Sequence, residues 1–178
     1  MGQYYIAVFL AEDGKTIRAW MDPTSYSNGS KLTEHSFLKN HFMNAVEYAL
    51  VSTGLIHKCK LVWAGDYADN EEKGENLYRI AHNDFPHKCI CPQYEERGTY
   101  IVNHTKKLYI DKSLIPQDGY IIHPLSLLVS EGNGKGGGDY FGINEEECGK
   151  WARDTISIES TIEDGFTRYD PHFSNRWA

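Results

Sequence analysis

Residues 131–140 read EGNGKGGGDY, five glycines within seven positions followed by an acid and an aromatic. Glycine suits backbone that must turn left-handed or lie close against another group. Successive peptide N–H groups in such a run can line a concave anion site, and Lys135 adds a positive point charge. Gly134, Lys135, Gly136, Gly137, Gly138, Asp139 and Tyr140 are therefore candidate ligand contacts, with Tyr67 of a second Gly-Asp-Tyr string at 65–67. The run is not a P-loop, which needs Ser or Thr after its Gly-Lys and a glycine where Val129 stands. Nor does it match the G-x-G-x-x-G that opens a helix, because Asp139-Tyr140-Phe141-Gly142 has turn or strand character. The alternative is a tight multiple turn passing against a sheet.

Carboxylates form a second set. Glu34, Asp66, Asp69, Asp139 and Asp154 all stand next to expected element ends, where side chains can converge. Two or three together would suit a divalent metal, Mg²⁺ or Mn²⁺, or a general acid–base pair. Gly-Asp at a strand end equally makes turns and caps backbone N–H groups. The catalytic candidates are Glu34, His35, Asp66 and Asp139. His35 beside Ser36 reads first as a helix N-terminal pair, since adjacent side chains diverge and cannot form a nucleophile–base couple. An imidazole facing the site from there would carry protons.

A third set, His82, His87, Cys89 and Cys91, offers nitrogen and sulfur ligands for zinc, with His57 and Cys59 as a further pair that could approach. Cys-x-Cys differs from the usual zinc knuckle spacing, so a plain thiol-bearing loop is the competing account. Tyr4, Tyr5, Trp20 and Trp63 either line a pocket or fill the core, the ordinary place for strand aromatics.

These groups need elements to position them. Tyr4–Leu10 is an apolar run of strand formers, Glu12-Asp13-Gly14 supplies a turn, and Thr16–Met21 resumes the strand pattern. Ser36 can cap a helix to about Ser52, with Leu38, Phe42, Ala45, Val46 and Ala49 on one stripe. Cys59–Ala64 is a short strand, and a weaker helix is expected near 75–82. Tyr100–Asn103 and Leu108–Asp111 form a hairpin, Tyr120–Ile122 a further strand, and 155–162 alternates cleanly. Hairpins plus one long helix, without regular β-α alternation, predict an α+β fold with a mainly antiparallel sheet and the helix packed on it. No linker divides the chain, so one domain, 1–178, is expected.

A chain of 178 residues with 40% hydrophobic and 24% charged content has the size and balance of an ordinary globular domain. The formal charge of -7 opposes wrapping nucleic-acid phosphates or an anionic membrane. No stretch reaches the ~20 apolar residues of a membrane helix. The N-terminus lacks a basic leader, and Ile6 stands where a myristoylation signal needs Ser or Thr. The expected address is cytoplasmic, with Cys59, Cys89, Cys91 and Cys148 as reduced thiols.

The strings MGQYY at 1–5, EHS at 34–36, WAGDYAD at 63–69, HPL at 123–125 and EGNGKGGGDY at 131–140 resemble a set of bacterial and phage-associated proteins that share them. The resemblance covers roughly residues 1–160 in short islands, and its most specific part is the glycine-rich string. It implies a phage or mobile-element connection and brings no activity, cofactor or catalytic residue with it. The cysteine-bearing segment at 82–91 is not part of the pattern. Three expectations follow: a binder, or metal-assisted hydrolase, of a phosphate-bearing small molecule or nucleotide; a protein-interaction or phage counter-defence module without catalysis; or a zinc-structured domain.

Overall fold

Tyr5–Leu10 (β1) is apolar at all six positions and buried at all six, as expected of a strand covered on both faces. It pairs antiparallel with Ile17–Met21 (β2) on one side and Cys59–Gly65 (β3) on the other. The computed structural model describes residues 2–85, 98–116, 121–132 and 146–171. Beyond β3 the sheet continues through Tyr100–Asn103 (β4), Leu108–Asp111 (β5), Thr155–Glu159 (β7) and Thr167–Arg168 (β8), in the order β2-β1-β3-β7-β4-β5-β8. Ser130–Glu131 (β6) adds a two-residue parallel pairing to β3. The result is a mixed α/β architecture with a single eight-stranded, mostly antiparallel sheet.

Helices cover both faces. His41–Leu50 (α2) and Pro124–Leu128 (α4) pack with Tyr5, Phe9, Leu61, Trp63, Ile156 and Ile158 in the larger core. Leu77–Asp84 (α3) covers the opposite face over Ile6, Val8, Leu10, Trp20, Val62 and Ala64. A four-residue helix, Leu32–His35 (α1), precedes α2.

The helix expected from Ser36 begins later, at His41. Asn40 is its cap, accepting from the Phe42 and Met43 N–H groups at 2.8 and 3.2 Å. Ser36 cannot serve because it closes α1 and the chain after it pairs with 121–123: Phe37 bridges Ile122, His123 N–H donates to the Ser36 carbonyl and Leu38 N–H to that of Ile121. The Ser36 hydroxyl is buried without a hydrogen-bond partner. The same pairing leaves Ile122 an isolated bridge, and the apolar stretch after Pro124 folds as α4. At the far end of β7, only Thr155–Glu159 of the alternating segment is strand.

The edge of β3 facing away from β1 is shared. Trp63 and Ala64 pair with β6, Cys59 and Lys60 with β7, and between them Leu61 exchanges hydrogen bonds with Arg153 and Asp154. Arg153 sits there at φ 64, a left-handed conformation that costs a residue with a β-carbon roughly 1–2 kcal/mol. Its guanidinium repays this by holding three separate segments. It pairs with Glu131 at 2.6 and 2.9 Å, pairs with Glu71, and donates to the Gly14 carbonyl at 3.0 Å. Hydrogen bonds from Arg153 to Glu131 and Glu71 outweigh burial and push the guanidinium pKa up, so the charge is permanent.

Arg153→Ala should therefore lower stability by about 2 kcal/mol, below the value for a fully buried pair because all three side chains keep some solvent. Arg153→Gly loses the same ion pairs yet relieves the backbone, so its urea midpoint should lie above that of the alanine variant. Equal midpoints would show that the left-handed backbone carries no cost.

Candidate functional site

Between the end of β3 and the start of α3 the chain makes a loop, and this loop walls a cleft of about 340 Å³. Its lining is Asp66, Ala68, Asn70, Gly74, Glu75, Asn76 and Arg79. Asn76 builds it. The side-chain oxygen caps α3 by accepting from Arg79 N–H at 3.0 Å, while the amide nitrogen donates to the carbonyls of Asp66 (3.0 Å) and Ala68 (3.2 Å). One buried amide thus ties the turn after β3 to the first turn of a helix. Gly74, at φ 93, allows the return, with its N–H bonded to the Glu71 carbonyl and Glu71 N–H to that of Glu75. Outside the cleft the loop is held by Glu71 on Arg153 and Glu72 on Lys15.

The floor of the cleft is equally fixed. Asp66 continues the β1–β3 ladder by accepting from Tyr4 N–H through its carboxylate and donating its own N–H to the Tyr4 carbonyl, both at 2.9 Å. The Tyr78 phenol lies near the same carboxylate. Burial, with the charges of Asp66 and Asp22 behind it, pushes its pKa up to about 12, so it remains a donor at neutral pH. Ala68 is the sole apolar side chain in the lining, so the cleft suits a hydrophilic guest. Lys15 and Arg153 nearby are each committed to carboxylates. The Arg79 guanidinium is exposed and makes no ion pair with a described residue.

Behind this cleft β3 and β6 run parallel and end together. Gln3 is buried there, its amide pressed between Gly65 and Gly132, and neither amide atom has a hydrogen-bond partner. A β-carbon on Gly65 would strike that amide and approach the Glu131 carbonyl to 2.7 Å. The chain enters residues 133–140 from this corner.

The structure separates the residues singled out in the sequence. Gly134, Lys135, Gly136, Gly137, Gly138, Asp139 and Tyr140 lie outside the described residues, as do His87, Cys89 and Cys91. Asp66 lines the cleft and Tyr67, 41% exposed, stands beside it. Glu34 is instead spent locally, its carboxylate accepting from Lys31 N–H at 2.9 Å in the cap of α1. His35 is corrected as a proton carrier because it is wholly buried with both ring nitrogens engaged. The Trp63 indole donates to Nε2 at 3.0 Å, so Nδ1 carries the hydrogen given to the Gly29 carbonyl, also at 3.0 Å. Burial pushes its pKa down to about 4, keeping the ring neutral. Asp154 accepts from Asn103 at 2.8 Å and from Lys106. His82 stacks near Trp20 and Tyr78, with centroids 4.7 and 4.5 Å away. Among the described residues no group of three His, Cys, Asp or Glu side chains could hold a metal ion. Trp20, Trp63 and Tyr5 belong to the core.

Two further polar clusters are structural. Glu47, inside the larger core, accepts from His123 Nε2 at 2.7 Å and from Lys112 at 2.8 Å. Burial pushes that carboxyl up, but these two donors more than reverse it, to about 2. On β7, Ser157 and His104 Nε2 are 2.7 Å apart, and Glu159 accepts from both Ser157 and His57. The pattern resembles a nucleophile with its base, yet Ser157 has no exposed surface.

No protein-family model, curated protein or solved structure matches this chain. Function must be argued from geometry. What the sequence reading missed was Arg79 with Asn70, Glu75 and Asn76. The available signal was local: an asparagine three residues before Arg79 at a helix start, with Gly74 two residues ahead of it.

Asn76→Ala removes a helix cap and leaves two carbonyls without their donor, so a loss of about 2 kcal/mol is expected. Asn76→Asp keeps the cap but sets a carboxylate against the Asp66 and Ala68 carbonyls, and should be no more stable than alanine despite the better capping residue. Urea titrations of the two variants check this. Acid sensitivity has its own signature. His35 binds a proton below about 6.5 when unfolded but only below about 4 when folded, so stability falls as pH drops across that window, by up to about 3 kcal/mol. Glu47 acts lower: its contribution is present above about 4.5 and lost as pH falls towards 2. In His35→Gln the decline between pH 6.5 and 4 should be shallower, with the Glu47 step below it retained. A small residual slope in the upper window is expected from His104, whose pKa burial also lowers.

Proposed function

We propose that the protein binds a small, hydroxyl-rich, phosphate-bearing molecule, a nucleotide or sugar phosphate, in the cleft between the β3–α3 loop and α3. The observation that carries the reading is Arg79: a guanidinium that makes no ion pair with a described residue, in the lining of a polar cleft near which Lys15 and Arg153 are already committed. A planar fork of N–H donors matches phosphate oxygens bidentately. Asp66 and Glu75 are acceptors for hydroxyl groups, and the amides of Asn70 and Asn76 extend the polar lining. The acidic pair belongs at the hydroxyl end and Arg79 at the phosphate end, because a chain of formal charge -7 opposes anions elsewhere.

Position in the fold supports the same reading. In open α/β sheets ligands bind outside the carboxyl ends of parallel strands, where loops diverge. β3 and β6 are such a pair. Asp66 follows one, and Gly132, the first glycine of the glycine-rich string, follows the other. Lys135, the cation singled out in the sequence, lies outside the described residues.

Thermal-shift and calorimetric titration of the full chain with nucleoside monophosphates, sugar phosphates and inorganic phosphate tests this. A ligand at a hundred times its Kd should raise Tm by about 5–10 °C. Arg79→Ala should abolish the shift while leaving the unliganded Tm nearly unchanged, since Arg79 is exposed and its side chain makes no hydrogen bond or ion pair with a described residue. Lys135→Ala should weaken it. No stabilisation by any of these compounds, or a shift untouched by Arg79→Ala, overturns the proposal.

A further inference from the structure

Resting on the cleft reading above, we infer that the ligand carries a planar ring, a nucleobase, which lies on Tyr4 and Tyr67. Among the described residues four large hydrophobic side chains are substantially exposed, and two of them, Tyr4 at 42% and Tyr67 at 41%, flank Asp66. The other two are Leu55 and Leu114. Single exposed aromatics need no explanation. Two tyrosines that adjoin Asp66 of the cleft without belonging to its lining, on backbone already fixed, make an adhesive surface of low conformational cost.

The backbone under these rings is held in place. Tyr4 faces Asp66 across the β1–β3 ladder through the two 2.9 Å hydrogen bonds already described. Tyr67 follows in the turn that Asn76 clamps through the carbonyls on either side of it, Asp66 and Ala68. Side chains alternate across a strand, and Tyr5 belongs to the core on the α2 face. Tyr4 therefore projects to the α3 face, the side of the cleft, in keeping with its electrostatic influence on Tyr78. Neither Tyr4 nor Tyr67 makes a ring contact with a described residue, so both faces of chemistry on the lip, acceptor and aromatic, are available together.

A ring ligand uses this lip and a sugar phosphate does not. Stacking on an aromatic side chain favours any base, because every base has a π-face, so the preference is for nucleotide over sugar phosphate and not for one base over another. Polar groups of the cleft would add hydrogen-bond discrimination on top.

Isothermal titration of the full chain with adenosine monophosphate, uridine monophosphate and ribose 5-phosphate decides the matter. Both nucleotides should bind about tenfold or more tightly than ribose 5-phosphate. Tyr4→Ala and Tyr67→Ala should each narrow that gap, while Tyr4→Phe and Tyr67→Phe keep the ring and keep the gap. Arg79→Ala should weaken all three ligands alike. If ribose 5-phosphate binds as tightly as the nucleotides, or the gap survives both alanine substitutions, the ring inference fails and the phosphate cleft stands. If none of the three binds, both fail.

Discussion

One arginine sets the terms for the rest of the molecule. β3 is the strand against which most of the sheet is built, and its outer edge cannot be served by one neighbour because β6 is only two residues long. Arg153 stands at the join between β6 and β7 and converts a gap into a fastening. Its backbone pairs with Leu61, and its guanidinium gathers Glu131, Glu71 and the Gly14 carbonyl. A short strand, an excursion from β3 and the β1–β2 turn are thereby fixed to one charge. The left-handed backbone at this position is tolerable because so many bonds over-determine it.

The polar groups buried inside show a common logic. His35, Glu47 and Ser157 would each be costly alone in an apolar interior, and each is matched by a specific donor or acceptor. His35 is accommodated as a neutral ring bridging the Trp63 indole and a loop carbonyl. Glu47 is accommodated as a carboxylate, which requires two donors, His123 and Lys112, from separate segments. Residues with catalytic potential in sequence thus serve as cross-links between loops and core. Reactivity is set by burial and partners, not by residue type.

The cleft obeys the opposite rule. Its frame is rigid: Asn76 joins two elements, Asp66 extends a ladder, Glu71 and Glu72 are pinned from outside. Among the described residues, Arg79 in its lining makes no ion pair, and Tyr4 and Tyr67 beside Asp66 make no ring contact. Preorganised surroundings around unspent functional groups reduce the ordering cost of binding, which is how a small polar site gains affinity. Gln3, wedged in the corner where β3 and β6 end, carries the one buried amide of this region without a partner, at a cost of about 1–3 kcal/mol for such a group.

Much of the sheet was legible from local pattern. The uninterrupted apolar run at 5–10, the strand at Cys59, the segments 100–103 and 108–111, and the alternation from Thr155 all appear as strands because side-chain period and β-propensity act over a few neighbours. The helix over Phe42–Ala49 was visible for the same reason, through its apolar stripe. Its starting point was not, because Ser36 and Asn40 are both good caps and only the pairing of 36–38 with 121–123 chooses between them. Likewise nothing local distinguishes the His35 imidazole, neutralised by burial, from an exposed base. Arg79 gained meaning only when Asn76 folded the loop back and Lys15 and Arg153 found other carboxylates. Periodicity and capping are short-range and survive in the order of residues; convergence of side chains far apart in the chain is decided when a shared strand edge brings their backbones together.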